Sequence, residues 1–148
     1  MRAVIQRVSK SSVSVDCEIV ASIGKGLLVL LGVSGDDDSN DSAYLAEKIV
    51  NLRIFKNDQG KMHHSLIDIE GEMLVVSQFT LMADCRKGRR PSFDKAAMPE
   101  MGETLYFDFI RRIRTMNIEV KHGCFGAMMS VSLINDGPVT ILLDSKAI

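Results

Sequence analysis

The sequence lacks a hydrophobic run long enough to cross a membrane. Its longest apolar stretch runs from Leu27 to Leu31, whereas a membrane-spanning helix needs roughly 20 apolar residues. The polar residues Gln6 and Arg7 also stand where a secretory signal peptide needs its apolar segment. We therefore expect no membrane partner and a cytoplasmic location.

Cysteine and histidine are scarce and poorly spaced for metal or redox chemistry. No two of the three cysteines, Cys17, Cys85 and Cys124, have the C-x-x-C spacing of a redox site. The three histidines lack the spacing, and the neighbouring cysteines or glutamates, of a tetrahedral metal site. We expect a reduced compartment and no bound metal.

Internal repeats, low-complexity segments and proline- or serine-rich linkers are also lacking. The 148 residues are therefore expected to form a single domain, 1–148. A chain of this length can bury roughly 70% of its unfolded surface without a disulfide or metal. Hydrophobic residues make up 46% and charged residues 25%, values that disfavour a disordered or fibrous protein.

A strong net charge is missing, but the charges are unevenly distributed. The formal net charge is −1, so global electrostatics do not indicate a polyanionic partner. Arg86, Lys87, Arg89 and Arg90 nevertheless lie within one short stretch, and three further arginines lie within 111–114. Such runs are usually solvated surface, and the alternative is a local phosphate-binding face. Charge alone favours the surface interpretation.

The hydrophobic periodicity predicts strands with two inserted helices. Alternating or continuous apolar segments indicate strands, and two segments of helical period indicate helices that begin near Ser39 and Pro99. This order favours an α+β fold with largely antiparallel sheets and both helices packed on one side. The predicted strands are 3–8, 12–15, 19–23, 27–33, 73–79, 128–134 and 139–143, and the helices are 39–53 and 99–116.

Two segments could carry chemistry. Ser77 to Leu81 places two hydroxyls and an amide at the end of a buried strand, where functional sites often lie. A nucleophilic Ser77 or Thr80 would need a base, and no histidine or G-x-S-x-G turn is local to them. Gly137 and Pro138 form a corner of bare backbone, for which an ordinary turn with a trans bond is the default interpretation.

Several blocks together resemble the D-aminoacyl-tRNA deacylases. The resemblance spans essentially the whole chain in order, and Met82 and Cys124 depart from the family pattern without affecting a functional position. The matching blocks are Ile5 to Val8, Gly26 to Val33, Ser77 to Leu81, Lys87 to Phe93, Gly123 to Met128 and Asn135 to Thr140.

The resemblance implies a homodimeric hydrolase that acts without a cofactor on aminoacyl-tRNA. It would cleave the ester between a D-amino acid, or a mischarged glycine, and the 3′ end of tRNA. In that family a cis bond corresponds to Gly137-Pro138, and this motif enters the partner's pocket to form a cross-subunit active site. Its carbonyls would hold the substrate ammonium and exclude an L side chain by steric clash.

The resemblance also assigns roles at the strand end. Main-chain N–H groups near Phe79 and Thr80 would stabilise the oxyanion, while Ser77 and Gln78 would line the pocket and orient the substrate. The 2′-hydroxyl of the terminal adenosine would assist the attack, and a covalent Thr80 is the second mechanism. The basic stretch Arg86 to Arg90 becomes a contact to the tRNA backbone.

Two other functions remain open from the residues alone. A non-catalytic RNA-binding module would explain the basic stretches, but it would release no amino acid from charged tRNA. A small-molecule esterase that uses Ser77 or Thr80 would react with serine-directed probes and would cleave esters that contain no RNA. The lack of a local base disfavours the esterase.

Overall fold

One mixed sheet forms the centre of the molecule, and the computed structural model describes residues 1–147. The strand order is β2-β1-β3-β6-β7, and β8 pairs with β1. The β3–β6 and β6–β7 pairs are parallel, and the other pairs of this sheet are antiparallel. The strands are β1 Arg2–Val15, β2 Glu18–Ile23, β3 Gly26–Gly32, β6 Glu72–Ser77, β7 Glu119–His122 and β8 Ser130–Asp144.

Two helices lie on one face of this sheet, so the predicted α+β class is confirmed. Helix α1 covers Ser39–Val50 and helix α2 covers Pro99–Arg114. Each belongs to the crossover that a parallel strand pair requires. Their apolar side chains share one buried cluster with alternate residues of β1, β3 and β6, whereas the intervening strand residues form a second cluster on the other face. β3 is therefore covered on both faces, as its continuous apolar run predicts.

The helix boundaries follow local capping chemistry. Asp38 caps α1 through its carboxylate, which accepts from the N–H groups of Asn40 and Asp41. Pro99 occupies the first turn of α2, where its missing N–H has no cost. The predicted first helix extends too far, since α1 ends at Val50 and the next residues turn away to bring Ile54 into the core.

Strand β1 is longer than predicted. The sequence indicates separate strands at 3–8 and 12–15, whereas the structure has one strand, because β8 pairs with both halves of it. The last two predicted strands are joined in the same way. The predicted strands 128–134 and 139–143 are parts of the single strand β8, interrupted by a bulge and not by a turn that reverses the chain.

Three short strands escape the sequence pattern. β4 Phe55–Lys56 and β5 Met62–His64 form a small hairpin around a turn at 57–60, and β7 adds a strand beside β6. Strand β6 also ends at Ser77, earlier than predicted, because the 3₁₀ helix Phe79–Met82 follows it. Within residues 1–147, no helix is long and apolar enough to span a membrane.

Candidate active site

A cavity of about 650 Å³ opens beside the carboxyl end of β6. It is bounded by the 3₁₀ helix, the start of α2 and the loop that precedes β8. Its walls are mostly apolar, which suits a cavity that excludes water from a polar reaction. The lining residues are Leu31, Val33, Val76, Ser77, Gln78, Phe79, Thr80, Ala97, Pro99, Gly102, Tyr106, Phe125, Gly126, Ala127, Met128, Met129 and Val131.

All four residues predicted to be catalytic meet at this cavity. Ser77 ends the buried strand, and the N–H of Gln78 donates to the carbonyl of Leu31 at 2.8 Å. The chain then turns into the 3₁₀ helix, which leaves the N–H groups of Phe79 and Thr80 without an acceptor in residues 1–147. Two free donors therefore lie side by side at the cavity wall.

The hydroxyl of Thr80 has an amide neighbour and no base. The side-chain nitrogen of Gln78 donates to Oγ1 of Thr80. No histidine, carboxylate or lysine is among the residues that line the cavity. The hydroxyl of Tyr106 donates to the Val75 carbonyl at 2.9 Å, and burial raises the pKa of this phenol, so it stays neutral. A protein side chain that could deprotonate Thr80 is therefore missing from this part of the structure.

Gly137 and Pro138 lie outside the cavity of their own chain. Gln6 pairs with Thr140 and Val8 pairs with Asn135, so residues 136–139 bulge out opposite the single residue Arg7. The Gly137-Pro138 peptide bond is cis, and Gly137 has a φ of 145°. The structure therefore brings the four strand-end residues together but leaves the glycine–proline corner exposed elsewhere on the surface.

Arg7 supports this bulge and was not singled out for that role from the sequence. Its side chain is 2% exposed and lies beside the Asp136 carboxylate, with Nε 3.5 Å from the nearer oxygen. Nε also donates to the Asp136 carbonyl at 2.8 Å, and Nη1 donates to the carbonyl of Ile54. The sequence did contain a signal for this role. Arg7 continues the alternation of the buried residues Ala3 and Ile5, and a period of two places its side chain on the same, interior face of the strand.

Side-chain amides close the same bulge from within. Oδ1 of Asn135 accepts from the N–H of Val139 at 2.7 Å, and Nδ2 donates to Oγ1 of Thr140 at 2.9 Å. The amide of Gln6 also reaches Thr140 from β1, at 3.3 Å. These contacts span the corner, so its backbone position is fixed at both ends.

The predicted tRNA-binding residues lie on an exposed loop beyond the 3₁₀ helix. Asp84 and Ser92 exchange backbone hydrogen bonds of 2.8 and 3.0 Å, which close the loop at its base. The Asp84 carboxylate binds Arg86, and this contact lowers the carboxyl pKa. The loop carries Arg86, Lys87, Arg89 and Arg90, all of which are exposed and none of which lines the cavity.

The arginines of the second basic run are all engaged in local contacts. Arg111 and Arg112 share the Asp108 carboxylate, and Arg114 donates to the carbonyl of Val120 at 3.0 Å. Ion pairs between residues three or four positions apart, such as those of Asp108, are ordinary contacts on the surface of a helix. The loop at 85–91, and not the end of α2, is therefore the stronger candidate for phosphate contact.

Comparisons with known proteins give a consistent result. Residues 4–144 match the family model described as D-Tyr-tRNA(Tyr) deacylase. A D-aminoacyl-tRNA deacylase from Thermosipho africanus is 57% identical over 148 residues, which cover 100% of this chain and 99% of that protein. A D-aminoacyl-tRNA deacylase from Syntrophus aciditrophicus is 59% identical over 146 residues, which cover 99% of this chain and 98% of that protein. A solved structure titled c-Myc DNA Unwinding Element Binding Protein has a TM-score of 0.93 at 42% identity, and the match covers 99% of this chain and 100% of that one.

Proposed function

We propose that this chain, which belongs to the D-Tyr-tRNA(Tyr) deacylase family, hydrolyses the ester between a D-amino acid or a mischarged glycine and the 3′ end of tRNA. The products are the free amino acid and uncharged tRNA. The supporting observation is the pair of unpaired N–H groups at Phe79 and Thr80 in the wall of the cavity.

The two N–H groups are suited to the charge that ester hydrolysis develops. Attack of water on the ester carbon places negative charge on the former carbonyl oxygen, and this oxyanion accepts hydrogen bonds from Phe79 and Thr80. Preorganised donors of this kind contribute about 3–4 kcal/mol each to the lowering of the barrier. Ser77 and Gln78 orient the substrate beside them, and Gln78 also fixes the side chain of Thr80.

The substrate itself supplies the group that assists the attack. Since no basic side chain lines the cavity, the 2′-hydroxyl of the terminal adenosine is the group that helps to position and activate the water. Covalent catalysis by Thr80 is the second mechanism. It is disfavoured because the only side-chain hydrogen-bond partner of that hydroxyl among residues 1–147 is the Gln78 amide, which is not a base.

A partner subunit completes the site with its Gly137-Pro138 corner. The corner lies outside the cavity of its own chain, but Arg7 and Asn135 hold it in an exposed and defined position. Its carbonyls accept hydrogen bonds from the substrate ammonium. An L side chain would clash with this backbone wall, a D side chain points away from it, and glycine has nothing to clash. Chirality is thus selected by exclusion.

A homodimer is the assembly that this arrangement requires. β8 is an edge strand, and its apolar residues Ile134 and Leu142 are 50% and 64% exposed. Exposed apolar side chains along an unpaired edge favour burial against another chain. In a two-fold dimer the corner of each subunit would reach the cavity of its partner, so both sites would be completed by symmetry.

The basic loop provides a grip on tRNA that does not depend on sequence. Lys87, Arg89 and Arg90 form no ion pair with any of residues 1–147, so they remain available for phosphates. Contacts of this type position a nucleic acid without reading its bases. They suit an enzyme that acts on many tRNAs in the cytoplasm.

Hydrolysis of matched tRNA esters tests this function. D-tyrosyl-, L-tyrosyl- and glycyl-tRNA are incubated with catalytic amounts of the protein, and free amino acid is measured over time. We expect release from the D-tyrosyl and glycyl esters, with the L-tyrosyl ester spared. An Ala97→Trp variant, which fills part of the cavity, is the control and should be inactive. Equal hydrolysis of both tyrosyl esters would contradict chiral exclusion, and no hydrolysis of any ester would contradict the proposed enzyme.

A further inference from the structure

An aromatic pair stands between the cavity and the basic loop. Phe79 is 59% exposed although it lines the cavity. Phe93 packs against it with ring centroids 5.1 Å apart and an interplanar angle of 67°. The two phenyl rings come from opposite sides of the loop, since Phe79 precedes it and Phe93 follows it. A large apolar surface is thus presented to solvent at the mouth of a cavity.

The loop that carries the free cations closes beside Phe93. The backbone bridge between Asp84 and Ser92 brings the two ends of the loop together, and Phe93 directly follows that bridge. Arg86 is held by Asp84. The other three cations, Lys87, Arg89 and Arg90, are exposed and have no anionic partner among residues 1–147, as described above.

We propose that the Phe79–Phe93 pair stacks an unpaired base of the tRNA 3′ strand, namely a nucleotide adjacent to the terminal adenosine, while the loop cations contact its phosphates. This inference rests on the proposed function, because it assumes that the terminal adenosine and its ester occupy the cavity. The preceding nucleotide must then leave through the mouth, where Phe79 stands.

The combination of rings and cations favours nucleic acid over another occupant. Every base has a π-face, so an aromatic platform beside a positive groove binds single strands with little sequence preference. A second copy of the chain is the main alternative, because it too could cover exposed phenylalanines. The positive charge beside the pair favours a polyanionic strand over a chain whose net charge is −1.

Phe93 is the residue that tests the inference, because it lies outside the cavity lining. Phe93→Leu keeps an apolar contact with Phe79 but removes the ring, and Phe93→Tyr retains the ring as the matched control. Each variant is assayed on D-tyrosyl-tRNA and on the D-tyrosyl ester of adenosine alone. The second substrate fits the cavity but has no neighbouring nucleotide.

We expect Phe93→Leu to lower kcat/KM for D-tyrosyl-tRNA about tenfold, mainly by raising KM. Its hydrolysis of the adenosine ester should be unchanged, and Phe93→Tyr should match the wild type on both substrates. An equal loss on both substrates would show that Phe93 only supports Phe79, and no loss on either would show that the ring is not used. Either result overturns the inference.

A binding measurement keeps the inference separate from the proposed function. Uncharged tRNA that carries 2-aminopurine in place of the penultimate base is titrated with each protein, and stacking is detected as fluorescence quenching. The wild type and Phe93→Tyr should quench, whereas Phe93→Leu should not. Equal quenching by all three proteins overturns the inference even if deacylation is observed. Dissociation of a dimer by Phe93→Leu, measured by sedimentation, would assign the pair to the subunit contact and would also overturn it.

Discussion

Replacement of Arg7 by methionine should destabilise the protein and disable the exposed corner. Methionine keeps an unbranched apolar stem but cannot donate to the carbonyls of Asp136 and Ile54, which now accept from the guanidinium. A hydrogen bond from a charged donor is worth about 1.5–3 kcal/mol. Loss of two such bonds, partly offset because a buried charge is also removed, gives an expected loss of about 2–4 kcal/mol in the free energy of unfolding.

The variant should still fold, because domains of this kind have about 5–15 kcal/mol of stability. Its Tm should fall by about 5–15 °C, since 1 kcal/mol corresponds to roughly 2–4 °C at this size. Arg7→Lys should lose less, because an ammonium can reach one of the two carbonyls. Hydrolysis of D-tyrosyl-tRNA by Arg7→Met should fall by much more than the unfolded fraction explains, since the corner loses its support.

Urea denaturation and deacylation rates at 25 °C measure both effects. Lys10→Met is the matched control, because Lys10 lies on the same strand but is exposed and makes no side-chain hydrogen bond within residues 1–147. It should resemble the wild type in both assays. The reasoning is refuted if Arg7→Met changes the free energy of unfolding by less than about 0.5 kcal/mol, the range of ordinary surface substitutions.

Three further predictions concern the chemistry, the assembly and the pH dependence. Thr80→Ala should retain measurable deacylation, whereas tRNA that ends in 2′-deoxyadenosine should be nearly inert; a rate loss of several orders of magnitude in Thr80→Ala, or a trapped acyl ester on Thr80, would instead support a covalent mechanism. Sedimentation at micromolar concentration should give about twice the chain mass, and a fully active monomer would exclude the shared site. Burial raises the pKa of Asp41, but hydrogen bonds led by that from Lys146 outweigh this effect and bring the pKa to about 2. A carboxyl whose pKa is lowered by folding stabilises the fold when the pH is above its pKa in the unfolded chain, which is near 4. It loses this contribution as the pH falls toward 2, its pKa in the folded protein. The free energy of unfolding should therefore drop over that window, and it should drop less in Lys146→Met.

Local patterns predicted the elements that obey one period over several residues. The alternation in β1 and the continuous apolar run in β3 identify strands because each residue's burial depends on its own sheet face. Asp38 and Pro99 mark helix starts through local chemistry, because the Asp38 carboxylate accepts from the first N–H groups of α1 and proline lacks an N–H that would be left unpaired in the first turn of α2. Short strands such as β7 contain too few residues to show a period, and their pairing with distant segments decides their structure.

The part of the candidate site that comes from one continuous segment could be predicted from the sequence. Ser77 to Thr80 are consecutive, so the end of one strand brings them together. The support of the corner was less accessible, because Arg7 and Asp136 are far apart in the chain and meet only through the β1–β8 pairing. The sequence alone favoured a turn at 135–138, since it could not show that β1 continues straight past this segment.

Subunit mixing tests most directly the central claim that the reaction occurs in the cavity of one chain closed by the corner of another. Ala97→Trp disables the cavity, and Asn135→Ala releases the corner by removing the hydrogen bonds to Val139 and Thr140. Each variant alone should be nearly inactive. After joint refolding, with mixed dimers verified by native mass spectrometry, about a quarter of the wild-type activity should return, because half of the dimers are mixed and each of these has one intact site. A mixture no more active than its separate components would contradict the claim.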